Sequence, residues 1–323
     1  MTVGDISVHS APQPVVHRRS RADHRRRRRE ERMVSLRLYG LRRGTVTTVT
    51  VICILFALFT LVPIVWMLIN STKTQANIFE SFGFWFAPPF RFLHNFRMLF
   101  ENVDGDGTYI RWLGNTALYA ALGGFGATAL SALGGYGFAH FQFRGSRVTF
   151  YIILAALLVP IAAITLPLYF VYAKVGLINS IWGMILPSMV APVGIILMRI
   201  FIQASVPREL IDAARMDGAG EARIFFRLAL PLMMAGLTTV LLLSVVGIWN
   251  NYFLPLVIFS ENNLYPLTQG LGLWASHAST SGDQNIYPLL VIGGLVTMVP
   301  SIGLFLVVQR YWRGGALLGS FAG

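Results

Sequence analysis

Long runs without an ionisable side chain set the first limit on how this chain can fold. Residues 46–70, 112–138, 149–172, 181–200, 232–259 and 288–309 are apolar. Apart from Arg199 at the edge of the fourth run, they hold no Asp, Glu, Lys, Arg or His. A helix needs roughly 20 such residues to cross the ~30 Å hydrocarbon layer of a bilayer. Soluble core helices of this length would need charged faces. The 323-residue chain is only 12% charged, against about 25% for a soluble domain, with a mean hydropathy of +0.61. Lipid offers the backbone no hydrogen-bond partner, which selects helices, and the runs do not alternate as barrel strands do. The predicted fold class is therefore all-α: a polytopic membrane protein with six transmembrane helices over 46–323, preceded by an Arg-rich tail over 1–45.

Charge predicts the orientation. Twelve arginines fall in residues 1–44. With the N-terminus in the cytoplasm, the inside segments also carry Arg144, Arg147, Arg199, Arg208, Arg215, Arg223, Arg227, Arg310 and Arg313. The outside segments carry only Lys73, Arg91, Arg97, Arg111 and Lys174. The positive-inside rule then places both termini, and the segment 203–231, on the cytoplasmic side of a cell membrane. The tail, with Arg25–Arg29 at its centre, is predicted to be disordered by self-repulsion. It reads as a topology determinant resting on anionic lipid. Nucleic-acid binding is not indicated, because no aromatic residue interleaves with those arginines. Cys53 is the only cysteine, so no intrachain disulfide can form. The first apolar run begins only after about 45 residues and is span-length, unlike a cleavable signal peptide.

Several chemistries find no support. A phosphate-binding loop needs a Lys before Ser or Thr after a glycine-rich stretch. The two lysines, Lys73 and Lys174, do not close one. The six histidines have no metal-ligand spacing. No catalytic residue, metal or cofactor is therefore predicted, and any energy for transport must come from another chain or an ion gradient. The lack of intramembrane carboxylates and histidines argues against proton relays, while sodium held by backbone carbonyls stays open. Prolines 63, 160, 167, 187, 192, 255 and 300 lie in the runs and free carbonyls that the bundle must satisfy. "GGFG" and "GGYG" in the second run suit close helix approach. The outer segment 71–111 is rich in aromatics (Phe84, Trp85, Phe86, Phe90, Phe92), as an interfacial hairpin would be; either lipid or a partner would fit it.

The charged stretch "SVPRELIDAARMDGAGEARIFFRLALP" stands between two apolar runs. Ser205 is a candidate cap, Pro207 suits a first helical turn, and Gly218 suits a left-handed stop. Arg208, Asp212 and Arg215 share one helix face, and Leu210, Ile211 and Ala214 another. A second short helix is predicted from about Ala219 to Leu228, with Pro231 opening the next span. Ala213 and Ala214 keep one side thin. From pattern alone, a lipid anchor and a docking handle fit equally.

"IDAARMDGAGEARIFFRLALP" resembles the EAA motif of permease subunits of ABC importers: E-A-A, two or three residues, D-G-A, then an apolar stretch ending L-P. Asp212, Ala213, Ala214, Asp217, Gly218, Ala219, Leu230 and Pro231 fill those places, with Asp212 standing for the family's glutamate. The segments 136–145, 167–180 and 249–259 are similar to the carbohydrate, maltose-type branch. So is the glycine-spaced ending, where Ala322 replaces the usual lysine. The resemblance implies a type I ABC importer permease in which 203–231 is a coupling helix docking on an ATPase subunit, with Phe225 and Phe226 packing it against the spans. It implies four kinds of partner: a second, non-identical permease subunit, an ATPase dimer, an external solute-binding protein, and a sugar as cargo. Trp249, Asn250, Asn251 and Tyr252 combine stacking and neutral hydrogen bonding, as a sugar pathway would; they equally suit satisfaction of backbone groups between helices. The alternatives are an ion-coupled secondary transporter and a membrane scaffold that moves nothing.

Overall fold

The computed structural model describes residues 43–101, 108–280 and 286–318. Most of the expected tail, and Ala322 at the other end, lie outside them. Among the described residues every regular element is helical. The chain divides into two compact units, Met1–Val62 and Pro63–Gly323.

Four helices are long and apolar enough to cross a membrane. They are α1 (Arg43–Asn70), α4 (Thr108–His140), the kinked pair α7 (Ile181–Ser188) and α8 (Pro192–Ser205), and α14 (Ile286–Leu318). One further pair, α10 (Glu221–Leu232) and α11 (Met234–Trp249), meets at 80° and reaches the length and apolarity of a span only when the two are counted together. The third expected span, 149–172, is not one helix. It divides into α5 (Ser146–Ala156) and α6 (Ile161–Val175). Pro160 lacks an N–H and disfavours helical geometry in Val159, so the helix stops before it. Outside the spans lie α2 (Gln75–Glu80), α3 (Phe92–Glu101), α9 (Arg208–Met216), α12 (Phe253–Ile258) and α13 (Leu267–Thr280).

Helix α4 is the axis of the second unit. Its small residues admit neighbours at backbone distance. A Cβ on Gly124 would lie 2.5 Å from Val245 Cγ2 of α11, and one on Gly135 would lie 2.8 Å from the Arg199 amide nitrogen of α8. Without a hydrophobic drive between helices in lipid, such close packing supplies the attraction.

Two apolar clusters form near opposite ends of α4. Near its start, Trp112, Tyr109, Leu99, Trp274 and Ile292 are buried together. The Trp112 indole donates to Asn262, at 3.1 Å to the backbone oxygen and 2.9 Å to Oδ1, and the Tyr119 hydroxyl donates to Leu264 O at 2.9 Å. Near its end, Tyr136, Met198, Ile202, Ile211, Ile224 and Phe225 form the second cluster. The Arg199 guanidinium lies 4.0 Å above the Phe150 ring, a cation–π contact holding α5 to α8.

Candidate functional site

Helix α9 begins at Arg208 with Pro207 in the capping position, its φ of −60° already set by the ring. Ser205 does not cap it. Its hydroxyl donates to Phe201 O at 2.7 Å and so completes the previous helix instead. The helix stops at Gly218, whose φ of +79° is left-handed. The Gly218 amide donates to Arg215 O and the Ala219 amide to Ala214 O, both at 3.0 Å. This pair of bonds is a Schellman stop, and Ala214 and Ala219, which flank it, both pack on the second cluster.

The buried face of this elbow is narrow. Ile211 of α9 and Ile224 and Phe225 of α10 enter the cluster at the end of α4, where the Phe225 ring meets Tyr136 edge-on at 5.2 Å. Phe226 does not join it and is 62% exposed. The chain forms a π turn from Phe225, and it leaves the second ring outside the cluster. Asp212, Ala213, Asp217 and Gly218 are exposed, whereas Ala214 and Ala219 lie on the packed side.

One guanidinium joins the two arms. Arg215 Nε donates to Glu221 Oε1 at 2.7 Å, and Nη1 donates to Asp212 Oδ1 at 3.1 Å. Glu221 was not singled out from sequence; its spacing of six from Arg215, across a glycine turn, is the signal that points to it. Beside this clamp a cavity of about 260 Å³ is lined by His140, Gln142, Arg208, Asp212 and Arg215.

Pro231 does not open the next span. It sits in the last turn of α10, after a π turn over Phe225–Ala229, and the chain bends two residues later at Met233. Proline and π turns both weaken the helical ladder, which accounts for a kink in this region.

In the fifth span the four expected pathway residues separate. Trp249 is buried and its indole donates to Thr297 O of α14 at 3.2 Å. Asn250 Nδ2 donates to Val246 O of its own helix at 2.8 Å. The Tyr252 ring lies where a Cβ on Gly272 would stand, 2.9 Å from Cε2. Asn251 alone of the four lines the large cavity of about 670 Å³. That cavity also takes in Leu157, Val190 and Ala191 from the breaks in the third and fourth spans, and the hydroxyls of Thr165, Ser188 and Ser244. Non-helical backbone at membrane depth is tolerated where it lines such a cavity.

A staple outside these sites joins two loops. Asn179, at a φ of +51°, donates through Nδ2 to Ser260 Oγ and accepts from the Ser260 amide, both at 2.8 Å. Asn is among the few side chains that tolerate left-handed geometry.

Residues 127–313 match the family described as binding-protein-dependent transport system inner membrane component. An arabinooligosaccharides transport system permease protein of Halalkalibacterium halodurans is 33% identical over 74% of this chain and 82% of its own length. The protein of the same description from Bacillus subtilis is 30% identical over 85% of this chain and 95% of its own length. A diacetylchitobiose uptake system permease protein of Streptomyces coelicolor is 30% identical over 83% and 86%. Among solved structures, a chain of a bacterial ABC transporter involved in the import of the acidic polysaccharide alginate superposes with a TM-score of 0.69. It covers 86% of this chain and 98% of its own, at 23% identity, a likeness that bears on the fold. The family match spans more than half of the chain and the relatives cover most of it, so the chain belongs to the binding-protein-dependent transport system inner membrane components.

Proposed function

We propose that this chain is one half of the membrane channel of a sugar ABC importer. It receives its cargo from an external solute-binding protein and works beside a second, non-identical permease subunit. Both termini and the elbow 203–231 face the cytoplasm. The observation that carries this reading is the elbow itself: a capped, clamped helix whose inner face plugs into the ends of α4 and α8 while Asp212, Ala213, Asp217 and Gly218 remain exposed. Such a part passes motion from a docked body to the bundle. The docked body is an ATPase dimer, and ATP-driven closure of that dimer tilts the spans in alternating access. The substrate class rests on relatives named for oligosaccharides.

The pathway runs past the cavity of about 670 Å³, within the range of small-molecule sites. Its polar groups are neutral: Asn251, Thr165, Ser188 and Ser244. Neutral donors and acceptors in an apolar wall suit a polyhydroxylated, uncharged cargo.

The test is co-purification. A nucleotide-binding chain is expected to follow the tagged protein from membranes, and Gly218→Pro is expected to release it while the variant still inserts. Retention of the ATPase by that variant, or uptake by the chain reconstituted alone with an ion gradient, would overturn the proposal.

A further inference from the structure

The segment joining α1 to α3 is folded inside out. Its polar groups face inward: Asn70, Ser71 and Lys73 are fully buried, and Asn95 nearly so. Lys73 Nζ donates to Phe82 O at 3.0 Å, Asn70 Nδ2 to Gly83 O at 2.8 Å, and Asn77 Nδ2 to Pro88 O at 3.0 Å. Asn95 Nδ2 reaches Ser71 O at 2.9 Å and Lys73 O at 3.0 Å, and the Arg91 amide closes on Thr72 O at 2.7 Å. Burial pushes the Lys73 amine below its ordinary range.

The rings face outward. Phe79, Phe82, Phe84, Trp85, Phe86 and Phe90 are between 42% and 73% exposed. No ionisable residue occurs from Ser81 to Phe90. In water the hydrophobic effect selects the opposite arrangement, and a contiguous exposed apolar patch marks a surface that something else covers.

Two observations identify the cover. First, the hydrogen-bonded knot includes Asn70, the last residue of α1, so the rings are held at the level where a membrane-spanning helix emerges. Aromatic residues concentrate at that level. Second, α3 is fixed by Leu99, which lies against Gly293 of α14, and presents Phe92, Leu93 and Phe96 outward among the exposed cations Arg91 and Arg97. Apolar side chains beside long basic ones fit a lipid boundary, where the charged ends reach phosphates and the stems stay apolar.

We propose that residues 79–93 form a keel immersed in the headgroup region of the leaflet at the Asn70 end of α1, with Trp85 and its neighbouring rings in lipid and Arg91 and Arg97 at phosphate level. The polar knot satisfies the loop's own backbone, as irregular chain facing lipid requires. This inference rests on the fold and not on the cargo or the energy source.

The test uses the full chain with the subunits that co-purify with it, in nanodiscs of phosphatidylcholine and phosphatidylglycerol. Cys53→Ala removes the native thiol. Trp85→Cys, Phe90→Cys and, as a control on an exposed loop, Glu261→Cys each carry a nitroxide. The ratio of oxygen to nickel-chelate collision rates is expected to be several-fold higher at 85 and 90 than at 261. A ratio at 85 and 90 equal to that at 261 places the rings in water and overturns the proposal. Exclusion of both reagents at 85 and 90 means that protein covers the patch and overturns it equally. Two label sites, both exposed, keep the result readable if one variant fails to fold.

Discussion

Arg215 holds Glu221 at 2.7 Å across the glycine turn and Asp212 at 3.1 Å on its own helix, so a single side chain fixes the angle between the arms of the elbow. Exposed ion pairs of this kind contribute only ~0.2–1 kcal/mol each. The clamp therefore matters through geometry more than through stability. Arg215→Met is expected to leave expression and thermal stability nearly unchanged while lowering nucleotide-dependent transport several-fold. Parallel melting curves and uptake assays check this; an equal loss in both would assign Arg215 to folding.

Gly218 tests the stop. A Cβ there meets no atom within 4 Å, so the cost of substitution is conformational alone. Left-handed geometry costs a typical L-residue roughly 1–2 kcal/mol, and Asn less. ATPase recovered with the tagged chain is expected to fall in the order Gly218, Gly218→Asn, Gly218→Ala, measured by quantitative gel densitometry.

The glycines of α4 grade by what a methyl would strike. At Gly135 it meets the Arg199 amide at 2.8 Å, at Gly124 the Val245 Cγ2 at 2.5 Å, and at Gly137 nothing. Backbone cannot yield as a side chain can. Gly135→Ala is expected to lower the melting temperature most, Gly124→Ala less, and Gly137→Ala hardly at all, within the ~1–3 kcal/mol usual for overpacking. Detergent-solubilised thermal melts read the order directly.

Asn251 and Asn250 are neighbours with different surroundings. Asn251 lines the large cavity, whereas the Asn250 amide is spent on Val246 O. Asn251→Ala is expected to raise the concentration of sugar needed for half-maximal uptake several-fold. Asn250→Ala is expected to leave uptake within about twofold of wild type, because exposed substitutions usually cost little.

The long spans were legible because hydrocarbon thickness dictates the length of an uncharged run. The elbow was legible because Pro207 and Gly218 mark its ends and the resemblance marks its middle. The breaks were not. Pro63 and Pro300 sit inside continuous helices, while Pro160 ends one. Whether a proline breaks a helix depends on what satisfies the freed carbonyls, which is a tertiary matter. Pro231 precedes the bend at Met233, but sequence alone does not say that it kinks the chain there rather than opening the next span. Phe225 and Phe226 are alike in the sequence, and only packing against Tyr136 decides which turns inward. Trp249 and Asn250 share the chemistry of ligand groups because polar side chains that serve the backbone use the same donors.

Met216 offers the most direct test of the central claim, that the elbow is a cytosolic contact for a nucleotide-hydrolysing partner. Its side chain is 88% exposed, beside the Gly218 stop. With Cys53→Ala in the background, Met216→Cys is predicted to resist a membrane-impermeant thiol reagent in intact cells. It is predicted to react after permeabilisation and to cross-link to a nucleotide-binding chain with a yield that changes between ATP and vanadate-trapped states. Labelling of residue 216 in intact cells, or cross-links to no such chain, would contradict the account.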